Sequence, residues 1–329
     1  MGENVFNGCA NHTEEGVVKI AEVSVKSSFI SKLLYFKTKI NTEMTITVPN
    51  GIISINNNEF DGWESIVEII IPDTVTSIGN YAFNGCIKLN NITLPDNITS
   101  LGEGAFCNCK SIEYIELPAG ITELKDKTFS ECKSLQSITN LSSVTKFGVN
   151  VFNACSELES ISISKETLSI GIQCFIDCKK LSTIEFEEDS KLSMIDDSAF
   201  YGCSSLINIS LPDTVITIGD DAFNLCTNLT TVSLPQNLES ISDRMFSQCS
   251  NLSEIVITEN VKSIGQAAFY ACNNLSTIKI PSNVESLSTF AFQECSIFTS
   301  IFSSSYSPLH FETSQKPLWE GLVRLSTMP

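Results

Sequence analysis

The sequence predicts an α/β solenoid, a fold in which short strands and turns stack in successive coils. One phrase, Cys-x-x-Leu-x-x-Ile-x-Leu-Pro-x-x-Val-x-x-Ile-Gly-x-x-Ala-Phe, returns about every 23 residues and marks each coil with a phenylalanine. The markers are Phe60, Phe83, Phe106, Phe129, Phe152, Phe175, Phe200, Phe223, Phe246, Phe269 and Phe292, and only the interval from Phe175 to Phe200, 25 residues, departs from 23. A unit this short cannot bury its own apolar face, so about eleven units must stack to form one continuous core.

The first half of each repeat has the pattern of a short strand with one buried face. In the reference repeat, Leu89, Ile92 and Leu94 are apolar, and polar residues flank Ile92. This alternation is typical of a half-buried strand. Pro95 ends the strand because it has no N–H to give to a sheet.

The second half of the repeat is expected to close the coil. Asp96-Asn97 is typical of a turn. Gly102 is expected to take a backbone position that a side chain would hinder. Phe106 and Cys109 then have the spacing of one face of a helical turn, so we expect a short helical turn here.

The period also predicts the organisation of the chain. Residues 1–41 lack it and are interpreted as a degenerate N-terminal flank or partial repeat. Residues 42–302 form the solenoid, and residues 303–329 are interpreted as a C-terminal tail or cap.

Composition excludes several classes of partner. The chain has 329 residues, 20 Lys and Arg against 38 Asp and Glu, and a formal net charge of −18. Nucleic acid and anionic lipid both need a basic surface, so neither is expected as a partner. No apolar run approaches the ~18 residues of a membrane-spanning helix, so membrane insertion is not expected. The first residues show no secretory signal, which favours a protein that stays inside the cell.

Ten of the thirteen cysteines occupy one position of the repeat. These are Cys86, Cys109, Cys132, Cys155, Cys178, Cys203, Cys226, Cys249, Cys272 and Cys295. One cysteine in each coil is typical of a small buried residue, and a straight column does not converge as metal ligands must. We therefore expect a reduced structural column with no metal and no cofactor. The pairs Cys107-x-Cys109 and Cys174-x-x-x-Cys178 leave a redox pair open as an alternative.

The sequence contains no recognisable catalytic constellation. Both histidines, His12 and His310, lie outside the repeats, so neither Ser nor Cys has a histidine base among them. The glycines of the repeats are isolated and form no phosphate-binding loop. We therefore expect a protein that is not an enzyme and has no small-molecule substrate.

Binding residues are sought on the strands, where residues beside the buried Ile column point outward. The candidates are Asn91, Thr93, Tyr114, Glu116, Thr139, Thr183, Glu185, Asn208, Glu254 and Lys279. Tyr114 is the only obvious anchor, because interface hot spots favour Trp, Tyr and Arg. The alternative interpretation is that Ser and Thr simply suit exposed strands.

The repeat resembles the BspA-like, or Treponema pallidum-type, leucine-rich repeat. Residues 206–226, Leu-Ile-Asn-Ile-Ser-Leu-Pro-Asp-Thr-Val-Ile-Thr-Ile-Gly-Asp-Asp-Ala-Phe-Asn-Leu-Cys, match its pattern throughout, and the resemblance covers roughly residues 42–302. It implies a curved, right-handed leucine-rich-repeat solenoid. In such a solenoid a parallel β-sheet lines the concave face, with short strands, turns and short helical turns elsewhere.

The same resemblance implies a function. Similar proteins are non-catalytic surface adhesins and antigens that bind host or cell-surface proteins through the concave face. The resemblance therefore implies a cell-surface protein with a protein ligand. An intracellular scaffold that mediates protein–protein interaction remains the alternative, because the absent signal peptide favours the cytoplasm.

Overall fold

The computed structural model describes residues 10–12, 18–20, 43–288, 290–296, 300–303 and 310–311. The chain forms two compact units. We call Met1–Val144 with Val151–Glu157 the N-terminal unit, and Thr145–Asn150 with Leu158–Pro329 the C-terminal unit.

The described elements of the N-terminal unit are short β-strands. They are β1 (Ala10–His12), β2 (Val18–Ile20), β3 (Met44–Thr47), β4 (Ser54–Ile55), β5 (Ile66–Ile70), β6 (Ser77–Ile78), β7 (Asn91–Ile92), β8 (Ser100–Leu101), β9 (Tyr114–Glu116), β10 (Glu123–Leu124) and β11 (Ser137–Thr139). Strands β1 and β2 pair antiparallel, whereas the pairs β3–β5, β5–β7, β4–β6, β6–β8 and β9–β11 are parallel.

The C-terminal unit continues the same alternation of strands. They are β12 (Lys146–Phe147), β13 (Ser160–Ile163), β14 (Ser169–Ile170), β15 (Thr183–Phe186), β16 (Met194–Ile195), β17 (Asn208–Ser210), β18 (Thr217–Ile218), β19 (Thr231–Ser233), β20 (Ser240–Ile241), β21 (Glu254–Ile255), β22 (Ser263–Ile264), β23 (Thr277–Ile280), β24 (Ser286–Leu287), β25 (Ser300–Ser303) and β26 (His310–Phe311). Strands β25 and β26 pair in parallel with β23 and β24, one coil earlier.

The parallel strands form two rows, and each row is divided into several short sheets. We call one set of strands, most of which follow Cys-x-x-Leu or its equivalent, the first ladder: β3, β5, β7, β9 and β11 in the N-terminal unit, and the odd-numbered strands from β13 to β25 in the C-terminal unit. The strands that precede the repeat glycine form the second ladder: β4, β6, β8 and β10, and the even-numbered strands from β12 to β26. Strand partners are 23 residues apart in most pairs, as for Ser137 opposite Tyr114 and Ile264 opposite Ile241. The predicted parallel solenoid with its 23-residue spacing is therefore confirmed.

The core consists of columns of identical side chains. Within the N-terminal unit the rings from Phe60 to Phe152 stack with centroids 5.3–5.7 Å apart. Within the C-terminal unit the rings from Phe175 to Phe292 stack at 5.2–5.6 Å. These distances are those of favourable aromatic pairs, and each ring buries a large apolar area. The sheets are therefore held over a continuous apolar column within each unit.

The described residues contain reverse turns and no helix, so the prediction of short helical turns is wrong. In the closing segment 79–86, the N–H groups of Ala82, Asn84 and Cys86 each donate to the carbonyl three residues earlier. The alternate N–H groups, including that of Phe83, donate to carbonyls of the following coil, with Phe83 N to Ala105 O at 2.8 Å. A helix would need all these groups within its own segment. Left-handed residues, such as Tyr81 with φ of 53°, also interrupt it.

Close backbone approach explains the repeat glycine. A Cβ atom on Gly102 would lie 2.4 Å from the backbone N of Asn80 and 2.4 Å from the carbonyl carbon of Gly79. The φ angle of Gly102 is not in the left-handed region. The expected hindrance is therefore confirmed, and its cause is the packing of one coil against the next. The domain boundaries, curvature and handedness stay predictions.

Candidate functional site

The ladder surface, defined as the outward side chains of the first-ladder strands, is the candidate site. All ten predicted residues lie on it and are exposed. Nine are within strands β7, β9, β11, β15, β17, β21 and β23, and Thr93 follows β7 directly. In β9 the pattern is exposed, buried, exposed for Tyr114, Ile115 and Glu116. The outward orientation inferred from alternation is therefore confirmed, whereas a ligand-binding role stays a prediction.

In the N-terminal unit the ladder surface presents an aromatic ring beside carboxylates. Tyr114 lies opposite Ser137, and Glu116 lies opposite Thr139. The side chain of Tyr114 is 60 % exposed, and its hydroxyl donates to Oε1 of Gln136 at 2.6 Å. The ring is therefore held in place while most of it remains accessible.

A second set of hydrogen bonds fixes the carboxylate of Glu68 on the same surface. Its Oε2 accepts a hydrogen bond from Thr45 Oγ1 at 3.1 Å, and its Oε1 accepts one from Asn91 Nδ2 at 2.7 Å. Asn91 is thus used by the protein itself, since one of its amide hydrogens is already bonded. These bonds link three successive strands, β3, β5 and β7, through polar groups of their outward side chains.

In the C-terminal unit the ladder surface is richer in hydroxyl and amide groups. Asn208 Oδ1 accepts hydrogen bonds from the hydroxyls of Thr230, at 2.9 Å, and Thr231, at 2.5 Å. Glu254 follows Thr231 in the same register. The candidates Thr183, Glu185 and Lys279 lie on other strands of this ladder. The five candidates of this unit are spread along the ladder, so they can make many separate contacts and do not converge on one reacting atom.

The cysteine column is a structural feature of the core. Cys109 Sγ donates to Phe83 O at 3.1 Å, and Cys226 Sγ donates to Phe200 O at 3.2 Å. Burial raises the pKa of the Cys226 thiol to about 12. The predicted column is confirmed by this packing, and all twelve cysteines in the described part of the chain are free thiols. Of the open redox alternatives, Cys174 and Cys178 are buried and Cys107 is half-buried.

Two further findings concern the described residues. No group of three or more His, Cys, Asp or Glu side chains among them is placed to hold a metal ion. Along the same part of the chain, no helix has the length and apolar character that crossing a membrane requires.

Sequence reasoning missed the exposed apolar side chains. Leu168, Met194 and Ile216 are exposed on or beside the second ladder of the C-terminal unit, and Ile70 and Val256 are exposed at the first ladder. Their signal in the sequence was an apolar residue at a position that is polar in most other repeats. Leu168, Met194 and Ile216 lie on or beside β14, β16 and β18, whereas binding residues were expected only on the strands that follow Cys-x-x-Leu.

Solved structures show the same fold. A leucine-rich repeat protein from Bacteroides ovatus is 26 % identical with a TM-score of 0.68, over 92 % of this chain and 88 % of that one. A leucine rich cell surface protein from Faecalibacterium prausnitzii is 23 % identical with a TM-score of 0.53, over 96 % of each chain. The pneumococcal vaccine antigen PcpA is 18 % identical with a TM-score of 0.52, over 87 % of this chain and 78 % of that one.

A comparison with curated proteins gave no match. The family model described as the BspA type leucine rich repeat region matches in overlapping segments, at residues 28–159, 105–203, 148–259 and 193–312. Together these segments span most of the chain and include the described coils with their phenylalanine and cysteine columns. The chain therefore belongs to the BspA-type leucine-rich repeat family.

Proposed function

We propose that this chain is a non-catalytic protein-binding repeat protein, acting at a cell surface as an adhesin or antigen that contacts proteins through its ladder surface. The observation that carries the proposal is a regular array of exposed polar side chains on a scaffold fixed by backbone hydrogen bonds and buried columns. Such an array offers many small contacts to an extended partner. Family membership supports protein–protein interaction, and the Faecalibacterium prausnitzii protein of similar fold is described as a cell surface protein.

The ten candidate residues have distinct proposed roles on this surface. Tyr114 supplies the aromatic anchor, since a large ring ordered in advance loses little freedom on binding. Glu116, Glu185, Glu254 and Lys279 supply charge that selects the partner. The remaining candidates supply hydrogen-bonding groups that complete the contact: Asn91, Thr93, Thr139, Thr183 and Asn208.

Site-specific crosslinking tests the proposed surface. A photo-reactive side chain is introduced in place of Thr139 on the first ladder and, as the matched control, in place of Thr99, which is exposed beside the second ladder of the same unit. Each protein is incubated with purified cell-surface and extracellular-matrix proteins. We expect covalent adducts from position 139 and few from position 99. Equal yields from both positions would show that the ladder surface has no special role.

An intracellular scaffold is the second candidate function, because it would use the same surface with a different partner. Antibody labelling of intact source cells, beside permeabilised cells, separates the two. Labelling of intact cells supports the adhesin. Labelling only after permeabilisation, with adducts formed in a cytosolic extract, would replace it with the scaffold.

A further inference from the structure

We infer that the ladder surface of the N-terminal unit docks a segment of the partner that carries Arg or Lys, with one cation lying over the ring of Tyr114. This inference rests on the protein-binding function proposed above and specifies the chemistry of the partner. It is carried by the charge of the surface, by the restrained ring of Tyr114 and by the carboxylates that lie on the same surface.

The charged side chains on the strands of this surface are all negative. Strands β3, β5, β7, β9 and β11 contain no Lys or Arg, whereas Glu68 and Glu116 lie on them. Glu113, exposed immediately before β9, places a further carboxylate beside this surface. Exposed charges of one sign attract a partner of the opposite sign and repel one of the same sign. A basic segment therefore fits this surface.

The lysines nearest in sequence lie in the turns before these strands. They are Lys88, Lys110 and Lys133. Lys88 is 3.6 Å from Glu43, and Lys133 is 3.4 Å from Glu131, so two of the three are already paired with carboxylates outside the ladder surface. The charge of Lys88 and Lys133 is therefore partly balanced where they lie.

Tyr114 is suited to receive a cation. Its hydroxyl is bonded to Gln136 at 2.6 Å, and the residue opposite it, Ser137, is small. The hydrogen bond therefore restrains the ring before a partner arrives, and Tyr114 remains 60 % exposed. A guanidinium or ammonium group is attracted to the electron-rich face of a tyrosine ring. An ordered ring also loses less conformational freedom when it is covered.

The carboxylates provide the second half of the contact. Glu116 is two residues beyond Tyr114 on the same side of β9, about 6.6 Å along the strand. An arginine over the ring can therefore reach this carboxylate, or a neighbouring cation of the same segment can pair with it. Glu68, on β5 of the same ladder, is held by Thr45 and Asn91. The ladder surface of the C-terminal unit carries two carboxylates as well, Glu185 and Glu254, but it also carries Lys279, and its described strands contain no tyrosine.

Three fluorescent Gly-Ser peptides serve as probes: one carries several arginines, one carries several lysines and one carries no charge. Their binding to the full chain is measured by fluorescence polarisation. We expect the arginine peptide to bind most tightly, because a guanidinium both stacks and pairs with carboxylates. We expect no binding of the uncharged peptide. Raising the ionic strength from about 0.05 M to about 0.3 M should weaken binding, because exposed ion pairs are screened.

Two pairs of variants locate the contact. Tyr114→Leu keeps an apolar side chain but removes the ring, and should weaken binding of the arginine peptide about 3- to 5-fold, whereas Tyr114→Phe should stay within about 2-fold. Glu116→Gln should weaken binding and reduce its dependence on salt. Glu285→Gln changes the net charge equally at an exposed position beside the second ladder of the C-terminal unit, and should have no effect.

Several results would overturn the inference. Equal weakening by Glu285→Gln would show that the whole negative chain, and not this surface, attracts the peptide. Unchanged binding in Tyr114→Leu would remove the ring from the contact. The surface would instead be a glycan-binding surface if neutral oligosaccharides bound to it independently of salt and if Tyr114→Leu abolished that binding. If crosslinking from position 139 still yields protein adducts in any of these cases, the proposed function stands and only the basic partner fails.

Discussion

At the scale of single residues, the repeated cysteine combines two properties that no other small apolar side chain has together. It packs as a small buried apolar side chain, and its thiol is a weak hydrogen-bond donor. The carbonyl of Phe200 accepts the N–H of Cys203 at 3.2 Å in its own coil and the thiol of Cys226 at 3.2 Å from the next coil. The column therefore uses both acceptor directions of a buried carbonyl.

This arrangement predicts a cost for removing one thiol. Cys226→Ala loses a hydrogen bond and leaves a small void, so the free energy of unfolding should fall by about 1–2 kcal/mol. Cys107→Ala, at a half-buried position outside the column, should change it by less than about 0.5 kcal/mol. Urea unfolding measures both. An equal effect of the two substitutions would show that the column position has no special importance.

At the scale of elements, the closing turns depend on two left-handed residues in each coil, four positions apart. Pairs of this kind include Tyr81 with Gly85, Asp221 with Leu225, and Ala267 with Ala271. A residue with a Cβ atom is strained by about 1–2 kcal/mol in this conformation, and glycine is not. Turns built from non-glycine residues are therefore strained, and the packing of neighbouring coils must stabilise them.

The same turn offers a matched pair of substitutions. Ala271→Gly relieves the strain but adds freedom to the unfolded chain, so the two effects should cancel to within about 0.5 kcal/mol. Ala268 is fully buried and has no positive φ, so Ala268→Gly relieves no strain. It removes a buried methyl group and increases the entropy of the unfolded chain, and it should lower the free energy of unfolding by about 1–2 kcal/mol. Thermal or urea unfolding compares them. If Ala271→Gly were as destabilising as Ala268→Gly, the left-handed conformation of residue 271 would be contradicted.

At the scale of the whole molecule, the column of buried cysteines makes the folded state less stable as the pH becomes alkaline. Burial raises the pKa of many column thiols: that of Cys226 to about 12, that of Cys295 to about 11, and those of Cys109, Cys132, Cys203, Cys249 and Cys272 well above the ordinary value. The folded state keeps these protons, whereas unfolded cysteines release theirs near pH 8.5. Stability is therefore fully present below about pH 8.5 and is lost as pH rises toward the folded pKa values.

We expect the urea midpoint to fall steeply above about pH 9. Each fully buried thiol contributes a slope of up to about 1.4 kcal/mol per pH unit while it is protonated only in the folded state. Cys226→Ala removes one of the protons that are released on unfolding, so the slope of stability against pH should become smaller by up to about 1.4 kcal/mol per pH unit. Alkylation of the thiols should follow their exposure: Cys107 should be labelled first, and the cysteines of the column only when the protein unfolds. A midpoint that stays constant up to pH 10.5 (about two pH units above the ordinary thiol pKa) would contradict this account.

Much of the fold could be predicted because one period repeats throughout the chain. The 23-residue spacing required equivalent residues of successive coils to lie side by side, which placed the phenylalanine and cysteine columns in the core. Alternation along each strand was enough to place Tyr114 and Glu116 on the outside. It could not indicate that Gln136 would hold the ring of Tyr114, because that bond joins residues of different coils.

The sequence by itself determined which side chains are buried, which face outward and which family the repeat resembles, because these properties follow from periodicity. Only the tertiary structure decided the closing turns. The spacing of Phe106 and Cys109 suits a helical turn and a series of reverse turns equally well, and the choice depends on where the N–H groups find acceptors. In the structure the N–H of Phe106 donates to Thr128 of the following coil, at 2.9 Å. Stacking thus supplies the hydrogen bonds that a helix would otherwise make within itself.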